Sequence, residues 1–137
     1  MKICVAGQGA FGQKHLDALK RIPEVEVVSL IGGNQDATAE VAKKYGVPHW
    51  GGDLSDGISR ADAVILTTPT QMHRRQGEQV MRAGKHVLIE ITIADSVPDA
   101  ETLVKIQRET GVVAMADTCG DSTRATNGCI GASRTVN

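Results

Sequence analysis

A chain of 137 residues with 15 Lys and Arg against 16 Asp and Glu carries a formal net charge of −1, and its length allows one domain with a substantial core. Aromatic residues make up only 2% of it and no basic stripe is present, which argues against a nucleic-acid-binding surface. No apolar run reaches membrane-spanning length and Met1 leads directly into a strand, so neither a membrane span nor a signal peptide is expected. Cysteines at 4, 119 and 129 fit neither a disulfide framework nor a zinc spacing, and a reducing cytoplasm is the expected location.

The first predicted strand is Lys2–Ala6, with Cys4 as buried packing. It breaks into Gly7-x-Gly9-x-x-Gly12, and a helical pattern follows over Ala10–Ile22, with Pro23 just beyond. Phe11, His15, Leu16, Leu19 and Ile22 fall near one helix face. A strand, three glycines at this spacing and a helix form the layout of a dinucleotide-binding turn. Gly7 is read as the tight turn, Gly9 as the point of close pyrophosphate approach, and Gly12 as the close contact of helix with sheet. Ala10 and Phe11 lie inside the same turn, where unpaired N–H groups and the helix dipole favour an anion. A plain strand–helix turn is the alternative.

A second buried strand is predicted over Val25–Ile31, stopped by Gly32-Gly33. A helix over Ala37–Tyr45 closes at Gly46, and Val47–Trp50 forms a short third strand. Leu54–Ser59 is a helical turn, Ala63–Thr67 a fourth strand, and Gln71–Ala83 a helix closed by Gly84. His86–Ile91, Pro98–Thr110 and Val112–Ala116 read as strand, helix and strand. Near-continuous apolar strands between helices imply a parallel sheet covered on both faces, an α/β doubly wound fold in three α/β/α layers. The expected strand order is 3-2-1-4-5-6.

An NAD-binding fold usually carries Asp or Glu after the second strand. Here the residues are Ile31, Gly32, Gly33 and Asn34. No carboxylate repels a 2′-phosphate and no arginine attracts one, so NADP is preferred to NAD on this reading. Asn34 and Gln35 can donate hydrogen bonds, and Asp36 is expected to cap the next helix. Thr67, Thr68 and Pro69 end the fourth strand at the switch point, where open α/β sheets bind ligands. Ordinary turn and cap chemistry is their alternative. Gln71 shares their loop. His73 is either a cleft residue or a solvated surface histidine, and Glu90 either faces the cleft or solvates a strand end. Lys85 and His86 read as structural, and Arg74 and Arg75 as a solvated helix face. His15 reads as packed or partly exposed, and Trp50 as packed near the adenine side or sheet edge. No metal site is read.

The ordered set Gly7-x-Gly9-x-x-Gly12, Thr68-Pro69-x-x-x-His73 and Gly84-Lys85-His86-Val87-x-x-Glu90 resembles the glucose–fructose oxidoreductase / inositol dehydrogenase (Gfo/Idh/MocA) family. The resemblance covers residues 1–116 and implies a Rossmann domain that binds NADP or NAD. Together with the residue readings above, cofactor contacts are expected at Gly7, Gly9, Ala10, Phe11, Gly12, Asn34, Thr67, Thr68, Pro69, His73 and Glu90, the last two as the resemblance implies. The stretches A-F-G-x-K-H-L-D, T-P-T-Q-M-H and E-I-x-x-A-D-S are similar to a branch that oxidises the cyclic hemiacetal of a protocatechuate ring-cleavage product with NADP. The family's usual E-K-P reads Glu90-Ile91-Thr92 here, so a lysine acid/base candidate and a turn-forming proline are missing. The family's second domain, which carries most substrate residues and the common oligomer interface, is also expected to be absent. The exposed cleft face is therefore expected to promote association.

Residues 117–137 have no periodicity and are expected to be a poorly ordered tail. With one base missing after the Ala116 codon and each third base free, the neighbouring frame permits G-H-M-R-R-F-N-P-S-H-Q-W-V-H-R-R-I-Q. The resembled branch continues with a run very like G-H-x-R-R-F-N-P-S-H-Q. The tail is therefore read as a frameshifted start of the second domain, with an ordinary polar tail as the alternative. The function expected is the cofactor half of a dehydrogenase whose small-molecule substrate belongs to the full-length parent. A non-catalytic NAD(P) sensor and an S-adenosylmethionine-binding Rossmann domain are the other readings.

Overall fold

The computed structural model describes residues 1–90 and 93–116. Among the described residues, six strands and five helices alternate: β1 Lys2–Ala6, α1 Ala10–Leu19, β2 Glu26–Ile31, α2 Gln35–Tyr45, β3 His49–Gly51, α3 Leu54–Arg60, β4 Ala63–Leu66, α4 Thr70–Arg82, β5 His86–Ile89, α5 Val97–Thr110 and β6 Ala114–Ala116. All neighbouring strands pair in parallel, in the order β3-β2-β1-β4-β5-β6. This is the predicted order, and it places the switch point between β1 and β4. The expected tail and its frameshift lie outside the described residues.

Alternation along each strand divides the core between two faces. Cys4, Ala6, Val64, Leu66, Val87 and Ile89 pack with Leu54, Ile58, Val80, Met81, Leu103 and Ile106 of α3, α4 and α5. Ile3, Val5, Leu30 and Ile65 pack with Leu16, Val41 and Ala42 of α1 and α2. Small residues let the helices approach closely. A Cβ on Gly57 would lie 2.5 Å from Cys4 Sγ, and one on Gly77 would lie 2.9 Å from Leu103 Cδ2. On the α1/α2 face, Ile3, Ala63, Ile65, Leu88 and Met115 line an open apolar hollow of about 310 Å³ over β4, β5 and β6.

Element boundaries differ from the sequence reading for local reasons. Helix α1 stops at Leu19 because Arg21 and Ile22 bond back to Ala18 and Leu19 in tight turns. Ile22 and Phe11, both expected on the buried face, are 43% and 49% exposed. Asn34, not Asp36, caps α2. Its Oδ1 accepts from the Ala37 N–H at 3.0 Å, and its backbone carbonyl accepts from the Thr38 hydroxyl at 2.6 Å. Val47 bonds to the Ala42 carbonyl at the end of α2, so β3 starts only at His49. Trp50 lies on that edge strand and is 42% exposed.

Candidate functional site

The site is built where β1 meets β4. Gly7 has φ +121°, a conformation that side chains resist, and its N–H donates to the Ile31 carbonyl at 2.7 Å. A Cβ on Gly12 would lie 1.9 Å from the Gly7 carbonyl oxygen. Helix α1 therefore rests directly on the turn. Thr67 sits beneath both glycines, and its hydroxyl donates to the Ala6 carbonyl at 2.9 Å. Gly9 differs from its neighbours, because a Cβ there would meet nothing within 4 Å. It is the N-cap of α1 and supplies no side-chain cap, and no acidic residue lies in the first turn. The first helical N–H groups, at Ala10, Phe11 and Gly12, thus face outward without an intrahelical acceptor.

The adenosine end of such a site lies beyond β2. Gly32 is packed against neighbouring side chains, since a Cβ there would fall 2.3 Å from Gln8 Oε1 and 2.2 Å from Thr38 Oγ1. Asn34 is exposed, with its side-chain oxygen engaged in the helix cap. A cleft of about 420 Å³ opens between the starts of α3 and α4, lined by Gly52, Asp53, Ser55, Met72, Arg75 and Gln79 among others. The Gln79 amide donates to Ser55 Oγ at 2.8 Å and ties its two walls together. Arg75, expected on a solvated helix face, is exposed and lines this cleft.

At the β4 and β5 ends, the Thr68 hydroxyl donates to Gln76 Oε1 and so anchors the loop to α4. Pro69 is exposed and caps α4 without a side-chain bond. His73 is buried at 1% exposure rather than solvated, with Nε2 2.7 Å from the Thr68 carbonyl. A carbonyl only accepts, so Nε2 carries the proton. Gln71 is exposed in the first turn of α4 and lines the same cleft as Arg75. Glu90 is buried at 8% exposure, and its N–H donates to the Leu66 carbonyl at 3.0 Å. Glu90 Oε1 lies 2.5 Å from His15 Nε2 of α1. Neither expectation for Glu90, cleft or solvated strand end, includes this pairing with His15. Among the described residues, no group of three His, Cys, Asp or Glu side chains is arranged to hold a metal.

Burial pushes the Cys4 thiol up to about 12, with a hydrogen bond to Ser29 acting weakly in the opposite sense. Cys4 is therefore core, not nucleophile. No helix among the described residues is long and apolar enough to cross a membrane.

The family model described as an oxidoreductase family with an NAD-binding Rossmann fold matches residues 1–118. The chain belongs to the Gfo/Idh/MocA oxidoreductase family. It is 56% identical over 117 residues to 4-carboxy-2-hydroxymuconate-6-semialdehyde dehydrogenase from Sphingobium, covering 84% of this chain and 37% of that protein. It is 36% identical over 90 residues to 1,5-anhydro-D-fructose reductase from Ensifer adhaerens, covering 64% and 27%. Among solved structures, the WlbA dehydrogenase from Bordetella pertussis, in complex with NADH and UDP-GlcNAcA, superposes with a TM-score of 0.79 at 28% identity, covering 85% of this chain and 36% of that one. The chain thus spans about a third of the length of the relatives it matches. Within the Gfo/Idh/MocA family, it is the NAD-binding domain of an oxidoreductase.

Proposed function

We propose that this chain is the cofactor-binding half of an NADP-dependent dehydrogenase and that alone it binds the cofactor with no appreciable turnover. The observation that carries this is the turn: shut by packing at Gly7 and Gly12, open at Gly9, and followed by uncapped N–H groups. Those groups fit a pyrophosphate. A bound nicotinamide cofactor supplies hydride exchange with a hydroxyl or hemiacetal carbon. This chain's residues bind and orient it. Gly9, Ala10, Phe11 and Gly12 would hold the pyrophosphate, Asn34 would lie on the adenosine side, and Pro69 and Glu90 would lie on the nicotinamide side. Thr67 and His73 hold the turn and the Thr68 carbonyl from behind.

The preference for NADP rests on the absence of a carboxylate at Gly32, Gly33 and Asn34. The substrate class of the whole protein is a cyclic hemiacetal of the 4-carboxy-2-hydroxymuconate semialdehyde kind, in aromatic catabolism, supported by the 56% identity. A reducing cytoplasm suits the buried free thiol of Cys4. We read residues 117–137 as a frameshifted start of a substrate domain. A chain without a substrate domain lacks the wall that orients substrate, and orientation is a major part of rate. Resequencing codons 110–140 and the frame beyond tests this, and a downstream frame without substrate-domain coding overturns it.

Titration of the purified chain with NADPH, NADH and S-adenosylmethionine, followed by thermal shift, tests the function. Stabilisation is expected from the nicotinamide cofactors, more from NADPH, and none from S-adenosylmethionine. Protection by neither nicotinamide cofactor, or substrate-dependent NADPH formation by this chain, overturns the reading.

A further inference from the structure

We propose that His15 is a positioning residue for the nicotinamide half of the cofactor, acting through Glu90. The inference rests on the cofactor reading above and adds a residue and a division of labour to it. His15 and Glu90 are 75 positions apart, with side chains 16% and 10% exposed, and Nε2 and Oε1 lie 2.5 Å apart. The contact joins α1, which carries the phosphate turn, to the residue that follows β5. It reaches over β4, so it spans the switch point itself.

The alternation of β5 explains the contact. Val87 and Ile89 face the α3–α5 core, while Leu88 packs on the α1/α2 side, so Glu90 also turns toward α1. On α1, Gly12, Leu16 and Leu19 mark the sheet-facing stripe, and His15 is part of it. A carboxylate held at one oxygen by an imidazole N–H keeps its second oxygen as an acceptor. The contact with His15 is made at Oε1 of Glu90. A ribose hydroxyl at the nicotinamide end of the switch-point crevice is the donor the second oxygen would take. The charge-assisted bond to His15 fixes the Glu90 rotamer and ties it to the helix that receives the pyrophosphate. One contact therefore couples the two ends of the binding site.

Three ligands separate this role from simple scaffolding. NADPH carries the nicotinamide riboside, whereas 2′-phospho-ADP-ribose and 2′,5′-ADP lack the nicotinamide or the whole distal half. Binding to the unsubstituted chain, His15→Leu and His15→Gln is measured by calorimetry, with thermal melts to verify folding. His15→Leu should weaken NADPH by about tenfold or more, the scale of one lost hydrogen bond to a charged group, and 2′,5′-ADP by less than about twofold. 2′-Phospho-ADP-ribose, which retains the distal ribose, should follow NADPH. His15→Gln, whose side-chain amide can donate from the position of Nε2, should recover most of the NADPH affinity. Equal weakening of NADPH and 2′,5′-ADP, or no weakening of NADPH by His15→Leu, overturns the inference while leaving the cofactor reading intact. Failure of the unsubstituted chain to bind any of the three overturns the cofactor reading and this inference with it.

Discussion

Gly12→Ala and Gly9→Ala should separate folding from binding within one turn. At Gly12 the added Cβ falls 1.9 Å from the Gly7 carbonyl oxygen, 3.0 Å from its carbon and 3.1 Å from Thr67 Oγ1. A carbon and a carbonyl oxygen ordinarily stay about 3.3 Å apart, so the overlap is about 1.4 Å. The obstacle is backbone. Gly7 is held by its 2.7 Å bond to Ile31, and the strand end by the Thr67 hydroxyl, so neither can swing aside. Relief requires α1 to lift from β1, which loosens Leu16 and the His15–Glu90 contact. Overpacking of this kind costs about 1–3 kcal/mol or more, against up to about 1 kcal/mol that alanine gains over glycine in a helix. A net loss of about 2 kcal/mol lowers the melting temperature by about 8 °C for a domain of this size. Gly9→Ala meets nothing within 4 Å at φ −73°, so its stability cost stays below about 1 kcal/mol. Its methyl group would nevertheless occupy the open approach of the pyrophosphate and weaken NADPH by about tenfold or more. Thermal melts with and without NADPH read both effects. Equal destabilisation by the two substitutions, or a Gly12→Ala chain as stable as the parent, refutes the reasoning.

If the α3/α4 cleft receives the adenosine 2′-phosphate, Arg75→Ala should reduce the ratio of NADH to NADPH dissociation constants by about threefold to tenfold, because a single exposed guanidinium there supplies a modest attraction for it. Asp53 lines the same cleft, so Asp53→Asn should shift the ratio the other way. An unchanged ratio in both sinks the assignment of that cleft. Cys4 should resist alkylation at pH 8 in the folded chain, checked by peptide mass spectrometry, and become reactive in urea. Its folded pKa of about 12 stands above the unfolded value of 9.0. The unfolded state therefore loses this proton first, and stability should fall as pH rises from about 9 toward 12. Cys4→Ala should flatten that fall, and an unaltered alkaline profile counts against it.

Strand order and faces were legible because they follow from periodicity and from the handedness of βαβ crossovers. The buried state of His73 was also present in the sequence. It belongs to a stripe with Gly77, Val80 and Met81 at helical spacing, all buried on α4. The choice between cleft and solvent overlooked that third possibility. The cap of α2 was harder to assign. Asn34 and Asp36 are both good cap residues two positions apart, and only the geometry of the Thr38 hydroxyl and Ala37 N–H selects the first. Phe11 was misplaced because helical spacing defines a face without saying how far the sheet extends beneath it. The first turn of α1 projects toward the mouth, where burial ends.

Side-chain pairing across the sheet is the level that local patterns reach last. Glu90 and His15 each carried a recognisable signal: an acid closing an apolar strand, and a histidine on a buried helix face. Their partnership emerges only when three facts are combined. Strand order puts β5 two places from β1, alternation turns Glu90 toward α1, and close packing at Gly12 brings α1 down onto the sheet. The glycine that admits the helix thus also sets the reach of the imidazole. Gly12→Ala should therefore weaken NADPH more than it weakens 2′,5′-ADP, the same split expected of His15→Leu. His15→Leu in the Gly12→Ala background should add less than it does alone, because the contact it removes is already loosened. A fully additive double mutant would mean that the turn and the His15–Glu90 contact act independently.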